Sequence, residues 1–183
     1  VGAYLGEAGK SEKQVKESKR KINVCETTKF HEQLIRAYCE LFHYKKNTLL
    51  AGLRMFLAAF RLPGEAQQID RIIQAFAESC GTQCIEFVKG DAFSSDRKRA
   101  TDTVYLLAFS IIMLNTDLHN PNIRFDRKMT VEAFIRNNKD YGPEITEPGK
   151  PLPISLLTEI FESIRDEEII TKSDGPKGDM TVD

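Results

Sequence analysis

The most informative stretch of this sequence is Phe60-Arg61-Leu62-Pro63-Gly64-Glu65-Ala66-Gln67. Proline fixes its own φ angle and glycine tolerates φ angles that other residues avoid, so Pro63-Gly64 predicts a sharp corner in the chain. Glu65 follows that corner and begins a predicted helix over residues 65–79. An acid at this position complements the positive end of a helix dipole. Alternatively, its carboxylate could contact another molecule.

On both sides of this corner, apolar residues recur at steps of three and four, the spacing of an amphipathic helix. The helix expected over residues 48–60 is apolar on nearly every side, which is typical of a buried central helix. The predicted helices cover residues 28–43, 48–60, 65–79, 101–118, 131–138 and 155–165. Because no stretch alternates as a strand would, we predict an all-α fold, an irregular superhelical or orthogonal bundle with a central hydrophobic groove.

The remaining segments are predicted as connections. Residues 81–99 are polar and end in Arg97-Lys98-Arg99, which we read as a solvated loop. Residues 141–153 hold four of the seven prolines and form a second loop. Residues 171–183 are polar and are expected to be a disordered tail behind a single domain over residues 1–170.

The composition excludes several classes of protein. A length of 183 residues suits one domain with a hydrophobic core, and a net charge of −1 provides no overall basic field for nucleic acid. The longest nearly unbroken apolar run, residues 104–114, is too short to span a bilayer. Since the chain begins with Val1, we expect it to be cut from a longer protein.

The four cysteines open one alternative, a thiol enzyme or a zinc protein. Cys80 and Cys84 are four residues apart and could share a helix face, but two thiolates do not complete a tetrahedral zinc site. The cysteine spacings match no zinc ribbon or finger. We therefore expect reduced cytosolic thiols and no metal site.

The second informative stretch is Phe109-Ser110-Ile111-Ile112-Met113-Leu114-Asn115-Thr116-Asp117-Leu118-His119-Asn120-Pro121. At about 100° per residue, one face of its helix changes from apolar to polar toward the C-terminus. An apolar floor that meets a polar rim is typical of a protein interface, with Phe109 and Met113 as the natural anchors. The residues on this face are Tyr105, Phe109, Ile112, Met113, Thr116 and Asn120.

Together, residues 60–71 and 112–121 closely resemble the two signature motifs of the Sec-seven (Sec7) domain, the catalytic domain of guanine-nucleotide exchange factors for Arf small GTPases. The resemblance extends from Tyr4-Leu5-Gly6-Glu7 to Ser163-Ile164-Arg165. It implies that the chain is the C-terminal portion of such a domain, since family members carry further helices before the first of these matches.

The resemblance implies a mechanism without covalent chemistry. The family's invading glutamate corresponds to Glu65, which would enter the phosphate and magnesium site of a GDP-bound Arf protein and expel the nucleotide. Asn120 corresponds to the family's functional asparagine in the second motif. The residues that would line the groove for the GTPase are Tyr105, Phe109, Ile112, Met113, Asp117 and Met129.

The family also implies the setting. The chain would need no cofactor, because GDP, GTP and magnesium belong to the GTPase. It would be a cytoplasmic protein at Golgi or endosomal membranes, recruited through regions outside this chain. A helical scaffold that binds an Arf-like partner without promoting exchange stays open as the alternative, and Glu65 is the residue that such a binder would not need.

The brefeldin A signature is mixed. Family members that this inhibitor traps tend to carry Tyr-Ser, aspartate and methionine at four positions. Here Ser110, Asp117 and Met129 match, whereas Phe109 stands in place of the tyrosine. We therefore predict weakened or absent sensitivity to brefeldin A.

Overall fold

A computed structural model of the chain describes residues 29–30, 32–44, 48–59, 66–83 and 96–171. Within these ranges every regular element is helical, which confirms the predicted all-α class. A short 3₁₀ turn, Phe125–Arg127, lies between two of the helices. The α-helices are α1 (residues 32–40), α2 (Leu49–Ala59), α3 (Ala66–Gln83), α4 (Arg97–His119), α5 (Val131–Asn138) and α6 (Ile154–Asp166).

Side-chain caps explain where three helices begin. The Thr48 hydroxyl accepts a hydrogen bond from Ala51 N at 3.2 Å ahead of α2, and Thr130 accepts one from Ala133 N at 3.3 Å ahead of α5. In each case the hydroxyl satisfies a backbone N–H of the first turn that has no partner within the helix. The expected bounds of α5 are confirmed.

The start of α4 was predicted wrongly. The carboxylate of Asp96 accepts a hydrogen bond from Arg99 N at 2.9 Å, so the helix begins at Arg97, four residues before the predicted start. Residues 97–99 therefore form the first turn of α4, not a solvated loop. The end of α3 also differs, since this helix continues to Gln83 through Gly81. The tail was predicted over residues 171–183, and all of it after Thr171 lies outside the described residues.

The core forms around α4, which contacts α2, α3, α5 and α6. The side of α4 that faces the core is buried, and burial of each large apolar side chain adds about 1.5–3 kcal/mol to the free energy of unfolding. A cluster of aromatic rings joins α2 to α3, with the centroids of Phe56 and Phe76 5.2 Å apart and those of Phe42 and Phe56 5.5 Å apart. The buried apolar residues of α4 are Val104, Leu107, Ala108, Ile111 and Leu114.

The C-terminal end of α6 is fastened by side chains from α2 and α4. The guanidinium of Arg54 donates to the backbone oxygens of Ser163 at 3.0 Å, Glu167 at 2.6 Å and Glu168 at 3.1 Å. Asn115 Oδ1 accepts a hydrogen bond from Ile169 N at 2.8 Å. Because the last carbonyls of a helix have no partner within it, the bonds from Arg54 satisfy these groups and fix the end of α6 against α2. The bond from Ile169 to Asn115 fixes the following residues against α4.

None of the helices in the described ranges combines the length and the apolar character that a membrane span requires.

Candidate functional site

Residues 66–71 of the first motif lie on α3 and residues 112–119 of the second lie on α4, and the two helices run antiparallel. The phenol of Tyr105 donates a hydrogen bond to Asp70 Oδ1 near the start of α3. At the other end of the pair, Glu78 of α3 and Lys98 of α4 line one cleft of about 680 Å³ together with residues of α1. The sequence number therefore rises along α3 as it falls along α4, and the start of α3 lies toward the C-terminal half of α4.

The side of α4 opposite the core exposes large apolar residues. Met113 is 54% exposed and Phe109 is 36% exposed, while Tyr105 and Ile112 are half-buried beside them. The ring centroids of Tyr105 and Phe109 are 6.4 Å apart. We call the surface formed by Tyr105, Phe109, Ile112, Met113, Asp117 and Met129 the α4 face.

The polar end of the α4 face is held by backbone hydrogen bonds. Asp117 Oδ2 accepts a hydrogen bond from Met129 N at 2.6 Å, so two residues twelve positions apart meet at one corner. Asn120 ends α4 and donates its backbone N–H to Thr116 O at 3.0 Å. Its side-chain Oδ1 accepts from Asn122 N at 2.9 Å, which fixes the turn that follows.

Sequence reasoning missed two contacts that shape this site. The hydrogen bond to Asp70 raises the pKa of Tyr105 to about 12, with burial and the charge of Asp70 as further causes. The phenol of Tyr141 donates a hydrogen bond to Asn138 Oδ1 at 2.7 Å, and Ser110 of α4 hydrogen-bonds with the same phenol. Burial raises the pKa of that phenol, and the bond from Ser110 opposes the shift. Neither contact has a sequence signal, because helix periodicity indicates a face but not the partner opposite.

Glu65 lies outside the described residues, and α3 begins at the next residue, Ala66. Its role therefore stays a prediction. The structure places Tyr105, Phe109, Ile112 and Met113 on one side of α4. The roles assigned to these groove residues and to Asn120 also stay predictions.

The thiols show no sign of an active centre where the structure describes them. Cys39 and Cys80 are buried and form no disulfide, and burial raises the pKa of Cys39 to about 12, with Glu78 and Glu40 adding to the shift. A raised pKa disfavours the reactive thiolate. The described ranges place no three His, Cys, Asp or Glu side chains where they could hold a metal ion. Cys25 and Cys84 lie outside those ranges.

A family model for the Sec7 domain matches residues 1–169. The chain belongs to the Sec7 domain family. Curated relatives include the ARF guanine-nucleotide exchange factor GNL2 of Arabidopsis thaliana, 43% identical over 134 residues, which are 73% of this chain and 9% of the relative. Human cytohesin-3 is 42% identical over 151 residues, which are 82% of this chain and 34% of the relative. The chain thus spans about a third or less of these proteins.

Solved structures agree with the family. The N-terminal Sec7 domain of RalF matches with a TM-score of 0.60 and 35% identity, over 76% of this chain and 62% of that one. A Sec7 domain solved in complex with ARF1-GDP and brefeldin A matches with a TM-score of 0.57 and 32% identity, over 76% of this chain and 63% of the other. These likenesses agree with an all-α Sec7 fold for this chain.

Proposed function

We propose that this Sec7 domain binds a GDP-loaded Arf-family GTPase on the α4 face and promotes release of GDP, so that GTP can load. The observation that carries the proposal is the exposure of Phe109 and Met113 on a helix whose other side is fully buried. An exposed apolar strip beside polar side chains is typical of a protein interface. The Sec7 domain that was solved with ARF1-GDP supports the choice of partner.

The register of α3 and α4 favours a joint role for the two motifs. Ala66 precedes Asp70 by four residues, and Phe109 follows Tyr105 by four residues. Four residues of α-helix rise about 6 Å, so in an antiparallel pair joined by the Tyr105–Asp70 bond, Ala66 lies level with Phe109. Because Glu65 directly precedes Ala66, we expect its backbone near the level of the exposed apolar residues of α4.

In the proposed reaction Glu65 is a charge that competes with the nucleotide. Its carboxylate would attract the lysine of the GTPase phosphate-binding loop, repel the β-phosphate of GDP and disfavour magnesium at the same place. Asn120 would support the rearranged switch region of the GTPase. The α4 face would stabilise the nucleotide-free GTPase until GTP displaces the Sec7 domain, which is a shift of populations by differential binding.

The GTPase would supply GDP, GTP and magnesium, and the Sec7 domain would need no cofactor of its own. We further propose a role in vesicular traffic, with the protein in the cytoplasm and peripheral on Golgi or endosomal membranes. The whole protein's recruitment would then depend on regions outside this chain or on the GTPase.

Release of fluorescent GDP from a soluble, N-terminally truncated Arf tests the proposal. Catalytic amounts of the chain should accelerate release, and Glu65→Lys should abolish the acceleration while the variant still binds and accumulates a complex that retains GDP. Glu162→Lys, the same charge reversal at an exposed position on α6, is the matched control and should stay active.

The outcomes separate exchange from the scaffold alternative. Binding of the GTPase without accelerated release, by a chain whose circular dichroism shows that it is folded, would contradict exchange activity and favour a scaffold. If Glu65→Lys unfolds instead, Glu65 is a residue that stabilises the helix and its assigned role is wrong. Repeating the assay with an N-terminally extended chain excludes a simple loss of supporting helices.

A further inference from the structure

The 3₁₀ turn Phe125–Arg127 presents the most exposed large apolar side chain of the described residues. Phe125 is 92% exposed, compared with 54% for Met113 on the α4 face. A phenylalanine buries a large apolar area when it contacts a partner, and aromatic residues are enriched in protein interfaces. Its exposure therefore points to a role outside the core.

This turn is ordered by its own hydrogen bonds. Arg127 N donates to Arg124 O at 2.9 Å and Lys128 N donates to Phe125 O at 3.3 Å. The guanidinium of Arg124 forms two bonds with the carboxylate of Asp126, at 3.0 and 3.1 Å. A side chain on a turn that is already ordered loses less entropy when it binds.

Further bonds fasten the turn to the α4 face. Lys128 Nζ donates to Leu118 O and, at 3.4 Å, to Asn120 O, which are carbonyls at the C-terminal end of α4. The bond of 2.6 Å from Met129 N to Asp117 Oδ2 lies on the same C-terminal side of the turn, and Ile123 N donates to Asn120 O at 3.2 Å on the N-terminal side. Phe125 thus stands on a segment tied on both sides to the polar end of the proposed GTPase surface.

We propose that Phe125 is an additional anchor for the same GTPase, extending the contact surface beyond the α4 face to the turn after α4. This inference rests on the proposed function. The continuity of the turn with Asp117, Asn120 and Met129 is the first argument for this occupant. Phe125 acts in docking, whereas Glu65 acts in the expulsion of GDP.

The small number of available basic side chains in the turn is the second argument, because it disfavours the other candidate occupant, an anionic lipid surface. Residues 124–128 carry three basic side chains and one acid, a net charge of +2. Arg124 is engaged by Asp126, and Lys128 is engaged by backbone carbonyls. Lipid-binding clusters have about four to eight available basic residues, and one aromatic side chain is too small an anchor without them.

Initial rates of GDP release at increasing GTPase concentration test the inference in the full chain. Phe125→Ala should raise KM about five- to thirtyfold and leave kcat nearly unchanged, since it removes a docking contact. Phe125→Leu should recover part of the loss. Ile154→Ala is the matched control, because Ile154 is 61% exposed on α6 and is not part of the α4 face. Thermal unfolding should be equal for all variants.

Two results would overturn the inference. One is a KM for Phe125→Ala equal to that of Ile154→Ala and of the unchanged chain. The other is unchanged exchange in solution together with lost sedimentation on vesicles of phosphatidylcholine and phosphatidylserine, which would make lipid the occupant. If the unchanged chain releases no GDP, the exchange proposal fails, and the role of Phe125 is then tested by the affinity for nucleotide-free GTPase. The role of Phe125 is overturned if Phe125→Ala binds as tightly as the unchanged chain, or if neither chain binds.

Discussion

The phenol of Tyr105 on α4 donates a hydrogen bond to Asp70 on α3, and this bond sets the register between the two helices that carry the sequence motifs. The two residues are 35 positions apart. The bond aligns the start of α3, the helix that follows Glu65 in the sequence, with the C-terminal half of α4, which carries the exposed Phe109. A change in this register would move one relative to the other.

Removing the Tyr105 hydroxyl should cost stability modestly. Tyr105→Phe keeps the ring beside Phe109 and loses one hydrogen bond, so we expect the free energy of unfolding to fall by about 0.5–1.5 kcal/mol. A double-mutant cycle with Asp70→Ala, which removes the acceptor oxygen, isolates the pair when unfolding is measured in urea. Additive losses from the two substitutions would show that the bond contributes nothing to stability.

The pH dependence of this pair has a definite sign. The pKa of Tyr105 is raised from 10.0 to about 12 in the folded chain, so the folded state holds the proton more tightly than the unfolded state. The stability that this group contributes is therefore complete below pH 10 and is lost as the pH rises through about 12. The stability difference between the unchanged chain and Tyr105→Phe should narrow from pH 8 to pH 11, and a difference that widens would contradict the assignment.

Met113 and its neighbour Leu114 should respond in opposite ways to truncation. Met113 is 54% exposed, so Met113→Ala should weaken GTPase binding by about 1–3 kcal/mol with little change in unfolding. Leu114 is fully buried, so Leu114→Ala should cost about 2–5 kcal/mol of folding stability. Urea unfolding and titration with nucleotide-free GTPase give both quantities. A stability loss of that size for Met113→Ala would place Met113 in the core.

Local chemistry explains what could be read from the sequence. The Thr130 cap depends on residues within three positions, and the apolar periodicity of α4 indicated its exposed face. The corner predicted at Pro63-Gly64 lies outside the described residues. The start of α4 was missed because Arg97, Lys98 and Arg99 look like a solvated loop. The cap by Asp96 decides that they are helical.

Contacts between distant residues could not be read in this way. The bond between Asp117 and Met129 spans twelve positions, and the bonds from Arg54 to the end of α6 span more than a hundred. Such contacts depend on how the helices pack, which periodicity does not specify. The exposure of Phe125 is a similar case, because its sequence neighbours Arg124 and Asp126 indicate only a polar turn.

Sensitivity to brefeldin A should depend on Phe109. The chain retains Ser110, Asp117 and Met129 of the sensitive signature, and it is 41% identical to a protein of Arabidopsis thaliana described as brefeldin A-inhibited. We expect weak or absent inhibition of GDP release, because phenylalanine lacks the hydroxyl of the tyrosine at that position. Phe109→Tyr should increase inhibition. Potent trapping of a GDP complex by the unchanged chain would refute the expectation.

Cys39 should be inert in the folded chain, which bears on the remaining possibility of thiol chemistry. Its side chain is fully buried and its pKa is raised to about 12, so both access and the thiolate fraction are low at pH 8. N-ethylmaleimide should label Cys39 at least about a hundredfold more slowly in the native chain than in urea, as measured by peptide mass spectrometry. Cys80, equally buried, should show the same protection. Rapid native labelling of Cys39, with loss of activity that Cys39→Ser prevents, would instead indicate that this thiol takes part in function.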